Sequence, residues 1–235
     1  MGLIFKFKQF EVNQAGCAMK INTDGVLLAA MACDLAPQYI VDIGTGTGVI
    51  AMMLAQAHEE AKIDALEIDQ QAADRAKENF KNSPYHKQLA VHYGNFLAFR
   101  PTQLIDLIIS NPPFYTNSLH NPDERKKIAR HADQLFFENL LHFAKDFLSA
   151  DGVLQIIVPT ALATEIKESL LFKYDLFLQM ECNIASFENE EILRVILRVG
   201  RNRSSTDQHH LYIYERKNEY SAGYKKLLKP YFLAF

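Results

Sequence analysis

The sequence predicts an α/β fold: a seven-stranded, mostly parallel sheet with an antiparallel edge, helices on both faces, and an N-terminal β-hairpin extension. Three observations predict it. Short apolar runs alternate with segments of helical period from Tyr39 to Leu171, which is the signature of parallel strands joined by crossover helices. The runs are apolar almost throughout, as in Leu104-Ile105-Asp106-Leu107-Ile108-Ile109, which suits a sheet covered on both faces. Beyond Tyr174, strand-like runs succeed one another with no helical segment between them, which suits an antiparallel edge.

Each element has its own signal. In the first 20 residues Phe5 and Phe7 alternate with Lys6 and Lys8, and Val12 to Met19 offers a returning strand, so a hairpin is expected. Thr23-Asp24 offers an N-cap for a helix through Val26, Leu27, Ala30 and Met31. Tyr39–Ile43, Lys62–Ile68, Gln88–Tyr93, Leu104–Ser110 and Gly152–Val158 read as strands. Val49–His58, Gln70–Lys81, Leu135–Leu148 and Ala161–Leu171 read as helices, with Asp69 capping the second of them. Tyr174–Cys182, Glu191–Val199 and His210–Tyr214 supply the edge, and a last helix, Ser221–Leu233, is interrupted at Pro230. The whole is expected as one domain, 1–235, with the hairpin at 1–22, the core at 23–200 and a C-terminal strand and helix at 201–235.

Composition narrows the function classes. The 235 residues are 49% hydrophobic and 23% charged, enough for a sizeable core. No run of about 18 apolar residues exists, so no membrane span is expected. Met1 to Phe10 lacks the apolar run of a signal peptide, and Cys17, Cys33 and Cys182 stand far apart without metal-ligand spacing. A cytoplasmic protein with reduced thiols, no metal and a monomeric state is expected. A net charge of −3 argues against binding nucleic acid by bulk charge and leaves room for local basic patches.

Two motifs carry chemistry. Asp42-Ile43-Gly44-Thr45-Gly46-Thr47-Gly48 follows a strand and opens a helix. Its glycines allow a tight turn and a close ligand, and free N–H groups at the helix start can receive it. The spacing is GxGxG, because Val49 occupies the last glycine position of a dinucleotide fingerprint. Glu67, at the end of the next strand, can accept two ribose hydroxyls. The second motif, Asn111-Pro112-Pro113-Phe114, ends the strand Leu104–Ser110. In an open parallel sheet ligands sit beyond the carboxyl ends of strands, so both motifs face one crevice. The side-chain oxygen of Asn111 and the carbonyl of Pro112 can both accept from one NH₂ group. Two prolines fix that backbone, and Phe114 can stack on a flat base.

Taken together, DIGTGTG, the acidic Glu67-Ile68-Asp69 and Asn111–Phe114 resemble class I Rossmann-like methyltransferases that act on amino nitrogens. Lys8-Gln9-Phe10, the run from Cys17 to Leu28 (CAMKINTDGVLL) and Ala129-Arg130-His131 are similar to the bacterial tRNA1(Val) adenine-37 N6-methyltransferases. The resemblance extends from the hairpin to about Val199, and weakly to Lys226–Leu233. It implies S-adenosylmethionine as cofactor and tRNA as substrate. It implies that Gly44, Gly46 and Gly48 cradle the methionine moiety, that Asp42 binds its amino group, and that Glu67 holds the ribose. Asn95-Phe96 falls where the family usually has Asp-Phe beside the cofactor adenine. It implies that Asn111, Pro112, Pro113 and Phe114 bind the target amine. Thr23-Asp24-Gly25 is expected near the cofactor or target, without a chemical step of its own.

A substrate RNA needs a basic surface. Arg125, Lys126 and Lys127 with Arg130 and His131 are the first choice, in a long loop after Phe114. Arg194, Arg198, Arg201 and Arg203 form a second candidate, and Lys225, Lys226 and Lys229 a third. Three other readings stand beside the tRNA one. The target can be another planar NH₂, on a protein glutamine or a guanine of ribosomal RNA. The chain can be a nicotinamide oxidoreductase, against which GxGxG and the Asn-Pro-Pro-Phe segment argue. Or it can be a non-catalytic RNA-binding module.

Overall fold

The computed structural model describes residues 3–112 and 124–235, with the side chains of 124–133 left aside. Phe5 and Phe7 do open a hairpin, β1 (Ile4–Lys6) with β2 (Glu11–Asn13), and the second strand stops well short of Met19. Helix α1 (Thr23–Met31) follows. Its cap is Asn22 rather than the Thr23-Asp24 pair, for the Asn22 side chain accepts the Gly25 N–H. The helix is apolar on nearly every side because it lies inside the protein, with Val26 to Ala30 all buried.

Alternation then runs as expected: β3 (Tyr39–Ile43), α2 (Val49–Ala57), β4 (Lys62–Glu67), α3 (Gln70–Asn82), β5 (Leu89–Tyr93), β6 (Ile105–Ser110), α4 (Glu124–Phe147) and β7 (Leu148–Pro159). Asp69 caps α3 by accepting the Ala72 N–H at 2.8 Å. Helix α4 begins eleven residues before the expected Leu135. The interval 124–134 therefore has helical backbone, and the long loop expected to carry Arg125 to His131 is shorter than the sequence suggested. A run of charged residues masks the periodicity there. After β7 comes α5 (Thr160–Glu165), which continues through a wide turn (Ile166–Leu170) and a tight one (Leu171–Tyr174).

The remaining elements are β8 (Phe177–Ala185), β9 (Ile192–Gly200), β10 (Asp207–Tyr212), the small hairpin β11 (Tyr214–Arg216) with β12 (Glu219–Tyr220), and α6 (Ala222–Leu228). The sheet order is β10-β8-β9-β7-β6-β3-β4-β5, eight strands rather than seven. Five parallel strands, β5 to β7, form its body. Only β9 runs antiparallel to both neighbours, and β10 pairs parallel to β8. Strand β10 overlaps the run expected at His210–Tyr214 and starts three residues earlier, where Asp207 to His210 are exposed edge positions with no apolar alternation.

Two apolar layers sandwich the sheet. One gathers α1, α2, α6 and the hairpin; the other gathers α4 and the helical run after β7. The tail closes the first layer. Phe7 bridges to Phe232, and Lys8 Nζ reaches the carbonyls of Lys229 and Phe235 at 2.6 and 2.7 Å. Tyr231 is buried against Cys33, its hydroxyl 2.8 Å from the thiol. No helix among the described residues is long and apolar enough to cross a membrane.

Candidate active site

The crevice begins where β3 and β6 end side by side. Their register pairs Ile43 with Ser110, and the Ser110 hydroxyl donates to the Ile43 carbonyl at 2.8 Å. Gly44 and Asn111 therefore leave adjacent strands at the same level. This is the juxtaposition of the two motifs that the sequence argument requires.

The glycine turn is held by its neighbours. The N–H groups of Gly44 and Thr45 both donate to the Leu66 carbonyl at the end of β4. Gly46 donates to Glu67 Oε2 at 2.8 Å, and Asp69 donates to Glu67 Oε1 at 2.9 Å. Asn79 of α3 donates to the Thr47 carbonyl and to the Asn13 carbonyl of the hairpin. The glycines divide the work. At Gly44 and Gly46, with φ of +74° and +57°, an added Cβ would meet nothing within 4 Å, so this side of the turn faces open space. At Gly48 it would strike the Phe80 ring at 2.3 Å. That glycine lets α2 seat on α3, a role that nothing in the local motif distinguishes from that of the other two.

Two carboxylates line the turn. Glu67 is 8% exposed and both of its oxygens already accept a backbone N–H. A carboxylate can accept about four hydrogen bonds, so capacity remains for hydroxyls. Asp42 is wholly buried at the end of β3. Its Oδ2 accepts the Thr45 hydroxyl at 2.6 Å, and its Oδ1 has no hydrogen-bond partner among the described residues. Burial is the main reason its carboxyl is pushed up to about 7; the Thr45 hydroxyl opposes the rise and the Glu67 carboxylate adds to it. An orphaned buried acceptor beside an open glycine face fits a ligand that carries a cationic amino group near a ribose.

Asn95 and Phe96 follow β5. Asn95 is exposed, and its Oδ1 caps a short helical turn (Phe96–Ala98) by accepting the Leu97 N–H at 3.0 Å. Phe96 packs edge-on against Phe136 and Phe143 of α4. On the target side, Asn111 is partly exposed and Pro112 is buried. Asn111 Nδ2 lies 3.5 Å from Asn22 Oδ1, the cap of α1. Asp24, in the first turn of α1, accepts from Arg194 Nε of β9 at 2.8 Å. Sequence reasoning placed Thr23-Asp24-Gly25 near the site and missed Asn22. Pro113 and Phe114 lie outside the described residues, as do the side chains of Arg125, Lys126, Lys127, Arg130 and His131.

The second basic candidate dissolves on inspection. Arg198 is 9% exposed and spends its guanidinium on Asp34, Gln155 and the Met31 carbonyl. Arg194 pairs with Asp24, Arg201 donates to the Lys145 carbonyl, and Arg203 stacks 4.6 Å over the Phe177 ring. Four arginines in one stretch of sequence thus have four separate structural partners. Lys225, Lys226 and Lys229 instead line a common surface recess with Tyr220 and Phe235. No group of three or more His, Cys, Asp or Glu side chains suited to a metal stands among the described residues.

This geometry can be compared with known proteins. The methyltransferase small domain family matches residues 19–175. A Pedobacter heparinus protein named tRNA1(Val) (adenine(37)-N6)-methyltransferase is 46% identical over 231 residues, 98% of each chain. A Bacteroides thetaiotaomicron protein of the same name is 38% identical over 97% of each chain. Among solved structures, a predicted O-methyltransferase of Agrobacterium tumefaciens superposes with a TM-score of 0.64 at 18% identity, over 88% of this chain and 96% of that one, a likeness of fold. With an open glycine turn, a buried carboxylate beside it and an Asn-Pro end on the neighbouring strand, the chain belongs to the methyltransferase small domain family, S-adenosylmethionine-dependent enzymes, and within it to the bacterial tRNA1(Val) (adenine(37)-N6)-methyltransferases.

Proposed function

We propose that this chain methylates N6 of adenine-37 in the anticodon loop of tRNA1(Val), with S-adenosylmethionine as methyl donor. The observation that carries the reading is the pairing of Ile43 with Ser110, which sets the turn after β3 beside Asn111-Pro112. The near full-length likeness to proteins of that name supports the substrate.

Bound S-adenosylmethionine supplies an electrophilic methyl group on a sulfonium. The chain's own residues do the rest. Asp42 receives the amino group of the methionine moiety on its orphaned oxygen. Gly44 and Gly46 let that moiety lie against the backbone, with Gly48 fixing the turn on α3. Glu67 accepts the ribose hydroxyls, and Asn95 and Phe96 border the adenine. The Asn111 side-chain oxygen and the Pro112 carbonyl each accept one N–H of the target amine. That amine is a weak nucleophile because its lone pair is delocalised into the ring. Two acceptors would rotate it out of conjugation and aim the lone pair at the methyl, which is alignment and preorganised electrostatics. As the N–C bond formed, the methyl–sulfur bond would break, leaving S-adenosylhomocysteine. One N–H proton, acidified by the charge on nitrogen, would pass to solvent, so no strong base is required. Phe114, with Pro113 stiffening the loop before it, stacks on the base, a contact worth roughly 1–3 kcal/mol. An anticodon-loop base is already unpaired, so presenting it costs little.

Arg125, Lys126, Lys127, Arg130 and His131 hold the RNA next to the site, and a cytoplasmic monomer suffices for the reaction. The test is nucleoside mass spectrometry on tRNA1(Val) incubated with the purified protein and S-adenosylmethionine. One N6-methyladenosine at position 37, absent when that adenine is changed to guanine, is expected. Methylation of ribosomal particles with none on tRNA overturns the reading.

A further inference from the structure

We infer that Asn22 is a positioning residue for the Asn111 amide, and that it sets which face of that amide the target amine meets. The inference rests on the reading of Asn111 given above and adds a residue to it.

The geometry starts with an unambiguous oxygen. The Asn22 atom that receives the Gly25 N–H at 2.9 Å caps α1, and only the amide oxygen can accept there. That same oxygen lies 3.5 Å from the side chain of Asn111. An acceptor cannot face a second acceptor at that distance without repulsion, so Asn111 must turn its NH₂ toward Asn22. Its carbonyl oxygen then points away from α1, free to accept from substrate. The reverse amide orientation would offer the substrate amine a donor and block the proposed chemistry. At 3.5 Å the contact is at the long limit of a hydrogen bond, so its effect is orientation rather than stability.

Two further features hold the pair in register. Gly25 lies directly beneath it: an added Cβ would sit 3.4 Å from both Asn111 Nδ2 and Asn22 Oδ1. The first turn of α1 is also tied to β9 by the 2.8 Å contact between Arg194 and Asp24, so the cap cannot drift relative to the sheet. Asn22 thus couples a helix start to a strand end 89 residues away.

Serine and aspartate separate the cap from the orienting role. Both are good N-caps, but the serine hydroxyl is too short to reach Asn111, whereas an aspartate keeps an acceptor at the same position. Steady-state kinetics on tRNA1(Val) and thermal unfolding would be measured for Asn22→Ser, Asn22→Asp and Asn111→Ala. The expected result for Asn22→Ser is a kcat lower by about 10- to 100-fold, the scale set by a misaligned reacting group. KM for tRNA, affinity for S-adenosylhomocysteine and unfolding temperature should stay at their wild-type values. Asn22→Asp should recover kcat to within a few-fold. Wild-type kcat in Asn22→Ser with Asn111→Ala inactive overturns the role of Asn22 and leaves the reading of Asn111 standing. Full activity in Asn111→Ala sinks that reading itself. Equal loss in the serine and aspartate variants, or a loss confined to KM, also overturns the inference. If Asn22→Ser does not fold, Asn22→Thr, another capping residue without the reach, takes its place with the same expectations.

Discussion

The two halves of the crevice are built differently. The half proposed to hold the cofactor is tied locally: the N–H groups of Gly44, Thr45 and Gly46 end on Leu66 and Glu67, and the Thr45 hydroxyl ends on Asp42. All of this lies within 26 residues of chain, from Asp42 to Glu67. The target half shows no such local closure among the described residues. Asn111 leaves the end of β6, and its side-chain amide lies 3.5 Å from Asn22 at the start of α1. A turn tied mainly to its neighbours in sequence is set locally and is suited to binding. A residue at a junction between distant elements is set by the fold as a whole, and it governs alignment. Binding and chemistry should therefore come apart under mutation.

The largest effect should follow Asn111→Ala. Removing an acceptor used in the transition state costs on the order of 10²–10³ in rate. Single-turnover methylation should fall by at least that much, while calorimetric titration with S-adenosylhomocysteine shows a Kd within a few-fold of wild type. A large loss of cofactor affinity instead would erase the division between the two halves.

Next comes Glu67→Gln, which attacks the other half. Gln keeps one acceptor and turns an NH₂ toward either the Gly46 or the Asp69 N–H, both of which now donate to Glu67. Loss of a hydrogen bond to a charged group costs roughly 1.5–3 kcal/mol. The cofactor Kd should rise by about 10- to 100-fold with kcat at saturating cofactor nearly intact. Equal falls in kcat and affinity would show that the turn also aligns the methyl.

Asp42 gives a smaller effect that has a pH signature. Its carboxyl titrates near 7 when folded, against an ordinary value of 3.8, chiefly because it is buried. The folded state thus holds the extra proton, and the stability this contributes is full below about 3.8 and lost as pH climbs to 7. At pH 8 the ionised group, with one oxygen unpartnered, is a cost to the cofactor-free fold. Asp42→Asn should therefore raise the cofactor-free Tm at pH 8 by a few degrees, at roughly 2–4 °C per kcal/mol for a chain of this size. The gain should shrink toward pH 4. In wild type, S-adenosylhomocysteine affinity should weaken as pH falls below 7, because its ammonium group needs the ionised carboxylate. A flat profile in both measurements would remove Asp42 from the cofactor half.

How much of this was legible follows the same division. The Asp42–Gly48 turn and Glu67 could be read because turn chemistry and strand periodicity are local, and the parallel body of the sheet followed from them. Asp69 as a helix cap was read correctly for the same reason. Gly48 could not be told from Gly44 and Gly46, since its reason is the Phe80 ring, 32 residues on. Asn22 was hidden because its partner follows a strand 89 residues away, and Thr23-Asp24 looked equally good as a cap. The arginines of β9 and the following loop read as one basic patch. Strand alternation and pairing with Asp34 and Gln155 put Arg198 inside, which no charge count can foresee. The last edge strand was read from His210 on, and its true start at Asp207 was missed because exposed edge residues need no apolar alternation.

The smallest effect tests a departure from the family pattern. Where the family resemblance implies an aspartate beside the cofactor adenine, this chain has Asn95. Its Oδ1 is already engaged, accepting the Leu97 N–H at 3.0 Å to cap the turn that carries Phe96. A carbonyl oxygen has a second lone pair, so the adenine amino group can share it, as a weaker neutral acceptor. Asn95→Asp keeps the cap, because aspartate caps as well as asparagine, and places a charged acceptor toward the adenine. The site is exposed, so screening by water limits the gain to under about 1 kcal/mol. Affinity for S-adenosylhomocysteine should improve by no more than about five-fold, and kcat should not move. The control is S-inosylhomocysteine, whose base carries a carbonyl in place of the amino group. Against it the aspartate should weaken binding. If both ligands respond alike, Asn95 acts only through the backbone turn, and the cofactor half needs no contribution from its side chain.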